Sequence, residues 1–121
     1  MINSERFRTC NFPAIALHAS ARRLASFYAD VLPPDGPVAR LLEPELHAAY
    51  VSGQASGHDR VLDREVTWTL GFQLDEDDLG MGGAGGCSAW RSISHGYAAA
   101  YVSRGLGDHD RREQVWETLS R

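Results

Sequence analysis

Apolar residues between positions 20 and 32 fall on one stripe. Ala21, Leu24, Ala25, Tyr28, Val31 and Leu32 recur at helical spacing, and Phe27 widens the face. Ser20 stands where a hydroxyl caps the first turn. The helix has to end at Pro33-Pro34-Asp35-Gly36-Pro37, because proline removes donors and the residue before it avoids helix. A second, shorter helix is expected over residues 44–52, where Pro44 suits the first turn and Glu45 the positive end. Residues 1–19, with Pro13 among them, read as an irregular lead-in, and residues 53–64 as a polar loop.

The pattern then changes period. Residues 65–74 alternate, are rich in β-formers, and read as one strand. The acidic run Asp75-Glu76-Asp77-Asp78 ends it, and a solvated turn is favoured there over a cation site. Residues 87–94 read as a strand, His95-Gly96 as a tight turn, and residues 97–103 as the returning strand of a hairpin. A last helix is expected over residues 108–121. Asp108 and Asp110 sit at its positive end, and Val115, Trp116 and Leu119 form its apolar face. The order predicts one α+β domain over residues 1–121. A short antiparallel sheet of about three to four strands, with the hairpin at its C-terminal end, packs with about three helices on one face.

Composition narrows the partners. The 121 residues are 43% hydrophobic and 23% charged, as in a soluble globular domain. The net charge of −4 and the absence of a basic stripe argue against nucleic acid. No apolar stretch approaches a membrane span, and the polar start lacks a signal-peptide core, so a cytoplasmic location is expected. Cys10 and Cys87 have no metal spacing, and two free thiols are favoured over a disulfide.

The run Gly80-Met81-Gly82-Gly83-Ala84-Gly85-Gly86-Cys87 is the main candidate for chemistry. Gly80, Gly82 and Gly85 match the dinucleotide fingerprint in spacing. The context fails, because an acidic turn precedes the run and a strand follows it. No cofactor is expected. Lacking Cβ atoms, these glycines either line a cleft or form a flexible turn. Asp108-His109-Asp110 and His58-Asp59 lack the spacing of a closed metal site, so none is expected. Trp68, Trp90 and Trp116 read as packing residues rather than a ligand cage. A nucleophilic Cys87 would need one of the five histidines (His18, His47, His58, His95, His109) beside it, and a buried small side chain is the favoured reading.

Several segments carry a family resemblance. Trp68-Thr69-Leu70-Gly71-Phe72-Gln73-Leu74, then Leu79 through the glycine run to Cys87, then Ala98-Ala99-Ala100-Tyr101-Val102 resemble the C-terminal third of β-lactamase-like serine hydrolases. That family includes class C-type β-lactamases and penicillin-binding-protein-like esterases. Its pattern there is W-G-L-G-F, then F-G-H-G-G-x-G-G-S, then a hairpin. Upstream, Phe12-Pro13-Ala14-Ile15 with His18-Ala19-Ser20-Ala21-Arg22-Arg23-Leu24-Ala25-Ser26-Phe27-Tyr28 resembles I-P-A-x-N-G-H-x-T-A-x-x-L-A-x-x-Y. Leu41-Leu42-Glu43-Pro44-Glu45 resembles L-L-S-P-E. The segments keep their order from about residue 7 to 121.

The resemblance implies a chemistry and also a deficit. The family uses a Ser-x-x-Lys nucleophile motif, a Tyr-x-Asn-like motif, and a Lys-Thr-Gly or His-x-Gly strand motif. The last maps to Met81-Gly82-Gly83, so substrate-binding positions would be Met81, Gly82, Gly83, Gly85 and Cys87. All 12 basic residues are arginine, so no Ser-x-x-Lys exists in this chain, and no catalytic residue is assigned. Met81 replaces the family's His or Lys and carries neither charge nor proton. Ala16-Leu17 stand in place of Asn-Gly. The expectation is a truncated or degenerate hydrolase segment, inactive alone. One alternative is a non-catalytic binding or oligomerisation module that retains a small-molecule pocket. Another is a split enzyme completed by a chain that supplies Ser-x-x-Lys. In the family fold, N-terminal strands cover one sheet edge. Homodimerisation through that edge (residues 97–103) or a helix face is therefore expected.

Overall fold

The computed structural model describes residues 4–10, 17–83, 85–105, 107 and 110–119. Expectations resting on residues 11–16, Ala84, Asp108 and His109 lie outside them. Part of the lead-in is helical: α1 (Glu5–Arg8) is a single turn whose Phe7 N–H donates to Ser4 Oγ. The amphipathic stripe forms α2 (Ala21–Val31). Ser20 Oγ caps it by accepting from Arg23 N at 3.3 Å, and the helix stops before Pro33. A 3-10 turn (Ala39–Leu41) leads to α3 (Pro44–Val51), which has proline in its first turn as expected. His47 on α3 is buried, and its Nε2 lies 2.8 Å from Val31 O, tying α3 to the end of α2.

Among the described residues, the sheet has six strands in a simple antiparallel meander: β1 (Ala55–Asp59), β2 (Arg64–Trp68), β3 (Gln73–Asp75), β4 (Asp78–Gly82), β5 (Ser88–Ser92) and β6 (Ala98–Tyr101). The α+β class holds, with more strands than expected, for three local reasons. The segment 55–59, read as loop, is a strand, because pairing with β2 offsets its poor β propensity. The single strand expected over residues 65–74 is two strands. Thr69 Oγ1 accepts from the N–H of Gly71 and of Phe72, and Thr69 N donates to Phe72 O, folding the chain back. The start of the glycine run continues β4 rather than forming a loop.

Register fixes the faces. Leu79 and Ala89 on β4 and β5 join Tyr28, Val31 and Phe72 in the core, with Ala98 and Ala100 of β6 packed against it. Phe72 meets the rings of Tyr28 and Tyr50 at 5.5 and 5.0 Å. Burial, and then the neighbouring Tyr50, push the Tyr28 hydroxyl up to about 12. Helix α4 (Asp110–Leu119) lies on the other face. Trp116 Nε1 donates to Asp78 Oδ2 at 2.6 Å, and Asp78 alternates with the core-facing Leu79. The expectation of helices on one face is thus corrected. Alternation gives β4 and β5 two populated faces, and α4 reaches the one that α2 leaves open through the Trp116–Asp78 hydrogen bond.

Candidate functional site

The α4 face of the sheet encloses an open cavity of about 770 Å³. Its floor comes from β4 and β5. Gly80 pairs with Trp90, Gly82 with Ser88 and Asp78 with Ser92, so these residues share one face. Gly80 is there because of the close approach of its neighbour. A Cβ at this position would meet Trp90 Cβ and Ala89 O at 2.6 Å. The wall is α4, through Glu113, Trp116 and Glu117, and the rim carries Asp77, His95 and Tyr97.

The five positions expected to bind substrate do not converge. Met81 and Gly82 line the cavity. Gly83, Gly85 and Cys87 are not among its lining residues. They form the connection to β5, in which Gly83 N donates to Cys87 O at 2.7 Å and Gly86 takes a φ of 83°, where a side chain is strained. Cys87 is partly buried. Its Sγ accepts from Ser103 N at 3.3 Å and donates to Ser103 O at 3.7 Å, so the thiol fastens the chain after β6 to the start of β5. No hydrogen bond joins Cys87 to a histidine among the described residues, and both cysteines are free thiols. Among those residues, no group of three His, Cys, Asp or Glu side chains is placed to hold a metal ion.

Sequence reasoning missed two features of this face. The first is a clamp on the rim. Asp77 Oδ2 accepts from Ser92 Oγ at 2.7 Å and Ser94 Oγ at 2.8 Å, and Asp77 Oδ1 accepts from Ser94 N at 2.9 Å. His95 Nδ1 lies 3.1 Å from both hydroxyls. The Ser92 bond above all, then Ser94, holds the Asp77 carboxyl below the usual carboxylate range. Despite its Ser, His and Asp, the clamp is not built for nucleophilic attack. Ser92 is 1% exposed and its proton is committed to Asp77. It locks the β5–β6 turn onto the β3–β4 turn. The acidic run therefore holds a turn, Glu76-Asp77, between two strand ends, with a structural carboxylate inside it. Asp78 behaves oppositely: burial raises its carboxyl, while the Trp116 N–H partly offsets this.

The second feature is a pair of orphaned polar atoms. Ser88 Oγ and Trp90 Nε1 are buried without a hydrogen-bond partner, although both residues line the cavity. Leaving such a group unsatisfied costs about 1–3 kcal/mol. The clue in the sequence was the i, i+2 spacing of Ser88, Trp90 and Ser92 in a strand, which places all three on one face.

The fold has a counterpart among solved structures. The fold is similar to that of a novel penicillin-binding protein homolog from Caulobacter crescentus, with a TM-score of 0.60 and 25% sequence identity. The match covers 74% of this chain and 27% of that protein, so the chain spans about a quarter of its relative's length. No family model and no curated protein matches the chain. The likeness supports a penicillin-binding-protein or β-lactamase-like fold. It fits a fragment of such a domain, in agreement with the order of segments read from the sequence. No helix among the described residues is long and apolar enough to cross a membrane.

Proposed function

We propose that this chain is the segment of a β-lactamase-like serine hydrolase fold that carries the last strand motif, and that alone it does not hydrolyse β-lactams or esters. The observation that carries the reading is the likeness to a penicillin-binding protein homolog in a chain with no lysine. Met81 occupies the position of the family's basic residue and supplies no proton or charge. Loss of a nucleophile and its activating base lowers kcat by factors on the order of 10⁶. The expected result is no turnover of a chromogenic cephalosporin or of p-nitrophenyl butyrate above buffer. Catalytic turnover that persists through repurification and follows the protein's concentration would overturn the reading.

A second reading has its own support. Among the described residues, β6 ends the sheet, with β5 as its single strand neighbour. Its sequence, Ala98-Ala99-Ala100-Tyr101, carries no charge and no proline to blunt an edge. On this reading the chain is a non-catalytic module that pairs two copies edge to edge through β6.

A further inference from the structure

The clamp on the cavity rim, which neither reading of function uses, holds a histidine whose hydrogens can be counted. Ser92 Oγ lies 2.7 Å and Ser94 Oγ 2.8 Å from Asp77 Oδ2. A carboxylate only accepts, so each hydroxyl spends its single hydrogen on Asp77. His95 Nδ1 lies 3.1 Å from both hydroxyl oxygens and 3.6 Å from Asp77 Oδ2. All three oxygens therefore turn lone pairs towards it. A bare Nδ1 would be repelled there, so Nδ1 carries a hydrogen. Nε2 takes no part in the clamp, and the His95 side chain is 63% exposed. A second proton on the ring goes to Nε2 and leaves every bond of the clamp in place.

Asp77 has no such spare position. Its Oδ2 receives both hydroxyls and its Oδ1 the Ser94 N–H at 2.9 Å, so a proton on either oxygen meets a donor already there. Those donors hold its carboxyl below the usual carboxylate range. The clamp is complete above that lowered value and is lost as pH falls through it. Other charged or titratable groups stand around it. Asp75, Glu76 and Asp78 flank Asp77 in the chain, with Arg64 turned to Asp75 at 3.7 Å. The Tyr97 ring is 6.2 Å from the His95 ring, and Glu113 and Glu117 line the α4 wall. The carboxylates among them are acceptors and supply no hydrogen to Nδ1.

We infer that the clamp is a proton-operated latch with two separate steps. His95 charges at Nε2 without opening it, and protonation of Asp77 releases the turn at residues 92–97 from the turn at Glu76-Asp77. The opening is local: the bond from Ile93 N to Asp77 O and the pairing of β4 with β5 do not involve the carboxyl.

The test is a pH series of ¹⁵N and ¹³C spectra of the full chain. While the ring is neutral, the His95 signals should show a protonated Nδ1 and a bare Nε2. Protection of the Ser94 amide against hydrogen exchange should stay constant while His95 takes up its second proton. It should then fall about tenfold or more in step with the Asp77 carboxyl carbon signal, while the Leu79 amide in the core keeps its protection. His95→Asn, which keeps a donor near the place of Nδ1 and cannot titrate, should leave that acid step where it is. Asp77→Asn should abolish it. The inference is overturned by a bare Nδ1 in the neutral ring, by Ser94 protection that follows the histidine titration, by Leu79 losing protection together with Ser94, or by an acid step that survives Asp77→Asn.

Discussion

At the residue scale, adjacent aspartates in one acidic run have opposite roles. Asp77 is stabilised as a carboxylate by hydroxyl and amide donors, whereas Asp78 pays for burial beside Trp116. The signs follow. A carboxyl whose folded pKa is lowered contributes stability above its unfolded pKa, and loses it as pH falls through the folded value. Asp77→Asn is therefore expected to lower Tm at neutral pH. Its deficit against the parent should shrink below the ordinary carboxylate range, as the parent's own Asp77 protonates. Asp78→Asn removes a desolvated charge and keeps an acceptor for Trp116, so it should be neutral or stabilising at pH 7. Thermal melts of the two variants from pH 7 down to acid check both; equal behaviour of the pair would refute the assignment. None of this was legible in Asp75-Glu76-Asp77-Asp78, because the partners at Ser92 and Ser94 are long-range in sequence.

At the scale of elements, helices were easier to read than strands. The α2 stripe, its Ser20 cap and its proline stop are local signals, and the helix forms where they say. The same holds for the Pro44 start of α3. Strand β1 has no such signal: Ala55, Ser56, Gly57, His58 and Asp59 favour no strand, and pairing with β2 decides it. The β4–β5 contact makes its own prediction. Gly80 lies under Trp90 so closely that Gly80→Ala forces the strands apart or pushes the indole from its place. The expected loss is about 1–3 kcal/mol of unfolding free energy in urea. A Gly83→Ala change, where a Cβ would meet only Cys87 O at 3.5 Å, serves as control, and equal losses at both positions would contradict the packing account.

At the scale of the whole molecule, the meander leaves β1 and β6 at its two ends. β1 is mostly exposed and carries His58 and Asp59, which blunt it as a template. β6 is half-buried, uncharged and covered on its core face by packing against α2. If copies pair through β6, light scattering across a concentration series should show a dimer, and Ala99→Lys, on the face away from the core, should return it to monomer without unfolding it. A monomer at every concentration would leave β6 unpaired and refute the edge reading.

The sequence by itself determined the α+β class, the start and stop of α2 and α3, the C-terminal hairpin and the likeness to a penicillin-binding-protein or β-lactamase-like fold. Each of these rests on local periodicity, on capping and proline chemistry, or on the order of short motifs. It also determined that no Ser-x-x-Lys is present, which is a matter of composition. Tertiary structure alone decided that Gly82 lies on the cavity face while Cys87 holds down the end of β6. It alone placed α4 opposite α2, and stranded Ser88 and Trp90 without partners beneath an acidic rim. Those outcomes depend on which strands pair and in which register. A shift of one residue would turn every one of these side chains to the other face.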